Sequence, residues 1–374
     1  MKFKDFLNEE TLHKGGISHI EHPSDMAFNG QKGAHHAYNT LKKVSHGKAK
    51  ITRKIDDRMS FHAIRHKDGR VGVKYKGKSA HYSYSHKEID SQHKDKPYLA
   101  KPLKHLHSHL HKVLPKRPGE YQGGYMSHHS ERHHDGDHIH HTPNTLTYHA
   151  PLKSKQGQKL HKSKVSVAVH TELKGPHKIP HPIHGHDEFH HHADVHLVPH
   201  TVEGSHNHPH PEHKAKADEH LKHAGKLMKG KKYHHLAGHE TTLRTYINKT
   251  IRDGSKPSVK GYHSHLKDHH NRGIEKVKME KTKERKKAER DAHLSHVEKN
   301  SHHFSKTLKL HHHLQQATNH LARGLERHGH GGFHTKIGKE KSGGEGYVAH
   351  GLKVVDRQAF SKANLARSDS FKKK

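Results

Sequence analysis

Apolar side chains recur along this chain at two spacings, and the two together decide what it can fold into. Val165, Val167 and Val169 alternate with smaller or polar residues, the period of a half-buried strand. Phe304, Leu308, Leu314, Ala317, Leu321 and Leu325 fall on one stripe at helical intervals. Neither pattern extends into the run of ~18 apolar residues that a membrane span needs. The expectation is a mixed α and β fold with no membrane partner.

The same rule reads most of the chain. A helix is predicted near 35–44, with Tyr38, Leu41 and Val44 on one face. A second runs over 96–114, carries Leu99, Leu103, Leu106 and Leu110, and stops at Pro115 and Pro118. Residues 59–64 and 71–75 read as strands joined through Asp68-Gly69, a hairpin signal. Further strands are expected at 121–126, 145–148, 164–171, 346–350 and 352–355. Residues 172–215 are rich in His, Pro and Gly and read as loop with one short strand. Helical pattern dominates 216–327, and glycines interrupt it over 329–346.

Composition bears on partners. Lys plus Arg is 70 against 37 for Asp plus Glu, a net charge of +33, and there are 59 histidines and no cysteine. Without cysteine there is no disulfide framework, no thiolate metal site and no cysteine nucleophile. The positive excess points to polyanions, nucleic acid first. A charge run such as Lys276–Lys287 is a solvated face in most proteins, and here it doubles as a candidate nucleic-acid contact. Below pH ~6.5 exposed imidazoles would protonate and roughly double the net charge, so polyanion binding is expected to strengthen between about pH 7.5 and 6. The start, Met1-Lys-Phe-Lys-Asp-Phe-Leu, mixes charge into a short apolar patch and does not read as a secretory signal.

Histidine runs such as His190–His192 and His311–His313 will bind transition metals adventitiously. No His-Glu-x-x-His occurs, and no two-cluster zinc spacing is present. Three successive helical side chains point in different directions, so His311–His313 cannot share one ion. A His-rich metal-binding protein is one alternative reading.

The candidate chemistry lies elsewhere. In Thr52-Arg53-Lys54-Ile55-Asp56-Asp57 a lysine ends a strand two residues before an acid. An amine so placed can serve as a covalent nucleophile. Lys-x-Asp alone is common in basic proteins, and its company matters more. Tyr121-Gln122-Gly123-Gly124-Tyr125 reads as a small-residue turn that lets backbone approach a ligand. Thr142-Pro-Asn-Thr-Leu-Thr-Tyr148 follows, then Glu345-Gly-Tyr-Val348 and Leu352-Lys353-Val-Val-Asp-Arg357. An acid and a lysine on neighbouring late strands would hold Mg²⁺ and a phosphate beside Lys54.

That order resembles the nucleotidyltransferase (adenylation) domain of ATP-dependent DNA and RNA ligases. More closely, the chain is similar to a family of uncharacterised tailed-phage proteins with the same pattern, through His19–Asp25, Tyr121–Met126, Thr142–Tyr148, His311–Asn319, Glu345–Val348 and Leu352–Arg357. The resemblance implies an α+β fold: an antiparallel-rich nucleotidyltransferase core with a large helical, His-rich insertion. The implied parts are a lead and helix (1–44), a core (45–175), the insertion (176–330), and late core strands with a basic tail (331–374).

It also implies a covalent lysyl-nucleotide at Lys54, formed from ATP with Mg²⁺ or Mn²⁺. Asp56 would match the acid of the lysine motif, Glu345 the metal-binding acid, and Lys353 the lysine on the α-phosphate. Thr52, Gln122, Gly123, Tyr148 and Arg357 would line the nucleotide, and nucleic acid would be the second substrate. A phage protein of this kind would work in the host cytoplasm or in the virion. Three positions depart from the ligase pattern, one of them Met59, where the lysine motif has an arginine and this chain carries Arg58 one position early. Asp57 stands where the lysine motif has glycine, and Gly124 where the middle motif has an acid, with Glu120 or Asp135 as substitutes. Those departures open a further alternative, an inactive nucleotidyltransferase fold that binds nucleic acid or sits in the virion.

Overall fold

The structure, a computed structural model, describes residues 20–77, 80–202, 204–229, 236, 238–326, 332–338, 340–342 and 344–360. The residues before 20 and the basic tail after 360 lie outside them. The helices are α1 (Gly30–Ser45), α2 (His86–Gln92), α3 (Pro97–His109), α4 (Lys155–Lys162), α5 (Pro211–Met228), α6 (Glu240–Asp253), α7 (Val259–Glu275), α8 (Glu280–Lys299) and α9 (Ser301–Glu326). The strands are β1 (Ile51–Arg53), β2 (Met59–Arg65), β3 (Val71–Tyr75), β4 (Gly119–His128), β5 (His133–Asp135), β6 (His138–His141), β7 (Thr147–Pro151), β8 (Val165–Lys174), β9 (Ile179–Pro182), β10 (Val195–Leu197), β11 (Thr201–Val202), β12 (His334–Ile337), β13 (Glu340–Ser342), β14 (Tyr347–Ala349) and β15 (Leu352–Val354). The fold is α+β with mostly antiparallel sheets. The chain divides into two compact units, one from 1–20, 52–202 and 329–345, the other from 21–51, 203–328 and 346–374.

The first unit is built on the sheet β10-β8-β4-β2-β3, with β9 against β8. The Asp68-Gly69 hairpin forms as expected, pairing Phe61 with Tyr75 and Arg65 with Val71. Strand residues alternate between faces, so Phe61, Ala63, Val73, Tyr121, Tyr125, Val165, Val167 and Val169 share one face. They pack in one core with Leu103, Leu106 and Leu110, contributed by α3 and the 3-10 turn after it. At about 1.5–3 kcal/mol per buried large side chain, this core dominates the unit's stability. The opposite face carries Ser60, His62, Gln122, Gly124, Ala168 and His170, and this polar face positions the site. A second sheet, β13-β12-β7-β6-β5, completes the unit. Phe333 ties it in, its ring 6.2 Å from that of Tyr148 and 5.8 Å from that of His196.

Two expectations need correction. Gln122-Gly123-Gly124 is not a turn but the middle of β4, where the register against β8 slips between Gln122 and Gly123. A Cβ on Gly123 would lie 2.5 Å from the Ala168 carbonyl oxygen and 2.8 Å from the Phe61 ring, so glycine serves sheet packing there. The His/Pro-rich stretch holds three short strands, β9, β10 and β11, rather than one. Pro180 and Pro182 are tolerated because, among the described residues, β9 pairs only with β8 and so sits at an edge.

The second unit is helical. Phe28, Leu243, Ile247, Tyr262, Leu266, Val297, Phe304 and Leu308 form its core. The apolar stripe anticipated on 303–325 is the buried face of α9. Against α9 lies a buried 3-10 helix, Pro23–Asn29, whose Asp25 accepts from Arg357 Nη1 (2.9 Å) and lies 3.1 Å from His311 Nε2. The β14–β15 hairpin turns through His350 and Gly351, both at positive φ, a two-residue turn whose twist matches its strands.

Candidate active site around Lys54

Lys54 follows β1 directly. Arg53 fixes that strand end, donating its N–H to the His200 carbonyl (2.5 Å) and its guanidinium to that of Thr201 (2.6 Å). Asp56 holds the next turn. Its Oδ1 accepts from Asn144 Nδ2 (2.9 Å), and its Oδ2 accepts the N–H groups of Thr145 (2.6 Å) and Leu146 (2.7 Å). The Asp56 N–H donates to the Tyr148 hydroxyl at 2.9 Å. The Thr142–Tyr148 motif is thus a clamp for the lysine segment. Asp56, 4% exposed, spends its carboxylate on positioning.

The Lys54 ammonium pairs with the Glu345 carboxylate, two residues far apart in sequence, with side chains 23% and 15% exposed. Asp57 lies against Gly124. A Cβ built on Gly124 would fall 2.5 Å from Asp57 Oδ2, so the Asp57 side chain fills the space that a side chain at 124 would occupy. Ser60 Oγ donates to the same carboxylate at 2.8 Å. Neither expected substitute stands there. Glu120 is taken by the Tyr82 hydroxyl (2.6 Å) and Lys178, and Asp135 is exposed on β5.

The electrostatics tie these groups into one field. Burial pushes the Asp57 carboxyl up, against the Ser60 hydrogen bond and the charge of Lys54. Burial pulls the Lys76 amine down, with Lys54 adding to the shift and Asp57 opposing it. His170 is pulled to about 3 by burial, then by His200, Lys76 and Lys54, so its imidazole is neutral at pH 7. Burial raises the Tyr148 hydroxyl well above its ordinary value, with Asp56, Glu345 and Asp57 contributing. Two carboxylates beside an amine make a donor set that a divalent cation could occupy, and a cation there would release the Lys54 amine from its ion pair. A hard, oxygen-liganded cation is the kind this donor set could hold, since Asp57 is half-buried and burial disfavours its charge.

The other expected site residues are placed as follows. Thr52 is half-buried on β1, and Gln122 is half-buried on the polar face of β4. Tyr148 is 2% exposed and orients the lysine segment. Lys353 and Arg357 belong to the second unit. Lys353 stands opposite Val348 and donates its N–H to the Glu21 carbonyl at 2.9 Å. Arg357 is 7% exposed, and its guanidinium is engaged by Asp25 and Asn248. Asp57, Lys76 and His170 were not anticipated as site residues. Asp57 stood out in the sequence only as a departure from the ligase pattern.

A protein-family model described as a family of unknown function (DUF6267) matches residues 17–369. No curated protein and no solved structure matches the chain.

Proposed function

This chain belongs to the DUF6267 family, and we propose that it is an ATP-dependent nucleotidyltransferase, ligase-like, acting on nucleic acid. The observation that carries the proposal is the pairing of Lys54 with Glu345, with Asp57 seated over Gly124 beside them. In the reaction the free amine of Lys54 attacks the α-phosphorus of ATP. A P–N bond forms, the P–O bond to pyrophosphate breaks, and the amine proton goes to solvent. An oxygen of a nucleic-acid terminal phosphate then attacks the same phosphorus, a P–O bond forms, the P–N bond breaks, and the freed Lys54 amine takes a proton from solvent. Glu345 and Asp57 would hold Mg²⁺ or Mn²⁺, which when bound neutralises charge on the phosphates. Asp56 and Tyr148 keep the lysine segment in place, and Lys76 adds positive charge for phosphate. The resemblance to tailed-phage proteins supports a place in the host cytoplasm or the virion.

Incubation with α-labelled ATP and Mg²⁺ or Mn²⁺ tests this. Wild type should carry a covalent label, and Lys54→Ala should carry none. A label that survives Lys54→Ala, or no label with any nucleotide and metal, refutes the reading. In the latter case salt-dependent DNA binding would favour the inactive nucleic-acid-binding alternative, which the +33 charge also supports.

A further inference from the structure

Within the second unit, α7 and α8 form an antiparallel pair whose seam is short of apolar groups. Of the twenty residues of α8, only Val297 is buried, with Leu294 partly buried against the core. A helix that charged needs something other than apolar burial to hold it. Polar ties supply part of this. Arg290 Nη1 donates to Asn271 Oδ1 at 3.0 Å, and His263 lies 3.1 Å from the Glu298 carboxylate.

Between those ties, His270 of α7 meets Glu289 and His293 of α8. Glu289 and His293 are four residues apart and so share a helix face. His270 Nε2 and His293 Nδ1 are 3.0 Å apart. One donor atom from each of the three residues lies within 4.8 Å of the others. Two nitrogens on one tetrahedral Zn²⁺ at ~2.0–2.1 Å would be separated by roughly 3.3 Å, so the observed spacing is close to that of ligands already gathered. Behind them His239, itself 2% exposed, sits with its ring 5.3 Å from those of His293 and His296, and its Nδ1 is 2.8 Å from the Tyr262 hydroxyl.

We propose that His270, Glu289 and His293 bind one divalent transition-metal ion, Zn²⁺ by their chemistry, which clamps α8 onto α7. The fourth position is left to water. The site is independent of the Lys54 chemistry, which needs a hard, oxygen-liganded cation.

The full chain, stripped with a strong chelator, is reloaded with Zn²⁺ and passed through gel filtration in a weak competing chelator. Histidines that bind singly should lose metal there, and about one equivalent should remain. His270→Ala and Glu289→Gln should each weaken retention at least tenfold, and the rise in melting temperature on adding Zn²⁺ should disappear. Glu289 is exposed, so Glu289→Gln keeps the test open if His270→Ala fails to fold. His190→Ala/His191→Ala, an exposed pair, should leave retention unchanged. Retention unaltered in both seam variants, or lost equally in the control, overturns the proposal.

Discussion

The Asp57 carboxylate occupies the space that a side chain on Gly124 would fill. On the proposed nucleotidyltransferase reading, the departures at Asp57 and Gly124 would be one exchange, an acid on the segment after Lys54 standing in for one on β4. Gly124→Asp alone should clash and destabilise by about 1–3 kcal/mol. Asp57→Gly alone should lose metal-dependent labelling. The double variant should recover more of both than additivity allows, with a coupling of about 0.5–3 kcal/mol. Urea unfolding and the labelling assay read the cycle, and strict additivity would sink the exchange.

Asp57 also carries a cost. A carboxyl raised by burial is favoured in its protonated form, so it withdraws stability as pH rises from its ordinary value through its folded one. Asp57→Asn, which keeps an acceptor for Ser60, should raise the melting temperature at pH 7 while reducing labelling. Parallel loss of both would mean that the residue is structural.

Several imidazoles are held neutral in the fold. His170 and His196 are pulled to about 3 and His200 to about 4, in each case chiefly by burial. Above pH ~6.5 neither folded nor unfolded chain charges them, and their stabilising contribution is complete. As pH falls toward about 4 the unfolded chain takes up protons that the fold refuses, so the urea midpoint should fall steadily across that window. A flat midpoint would contradict it. The expected doubling of net charge in acid is cut back for the same reason, since His105, His128, His239 and His313 are lowered as well.

Arg357 should be read through Asp25. Burial disfavours the Asp25 charge, but His311 and Arg357 outweigh it and hold the carboxyl well below the usual range. Arg357→Met should therefore cost about 3–5 kcal/mol by stranding a buried charge. A loss below about 1 kcal/mol in chemical denaturation would leave the guanidinium free for another role.

If the exposed face of α8 contacts nucleic acid, changing Lys281, Arg285 and Lys287 together to Gln should flatten the log–log salt dependence of DNA binding by about 2–3. An unchanged slope would return the helix to a solvated face.

What was legible in the sequence follows from how apolar groups mark it. The β2–β3 hairpin, the valines of β8 and the α9 stripe each carry a period that a core enforces. Strands β5 and β6 were hidden because imidazole takes places that valine would fill elsewhere: in β6, Ile139 and His141 are both buried. The pairing of Lys54 with Glu345 was foreseeable only as a motif order, since no local pattern encodes a contact so distant in sequence. The closeness of Asp57 to Gly124 was not legible, because it comes from the folding of the segment after Lys54 against β4 and not from any local pattern.

The division of the chain into interleaved segments has a consequence for its synthesis. The first unit lacks the stretch 329–345, and Lys54 its Glu345 partner, until the ribosome has passed that point. The second unit is interrupted by the first and still awaits its hairpin. Growth proceeds at roughly 5–20 residues per second. For several seconds, then, the nascent chain would display a strongly basic helical segment before either unit can close, a window for capture by polyanions around the ribosome.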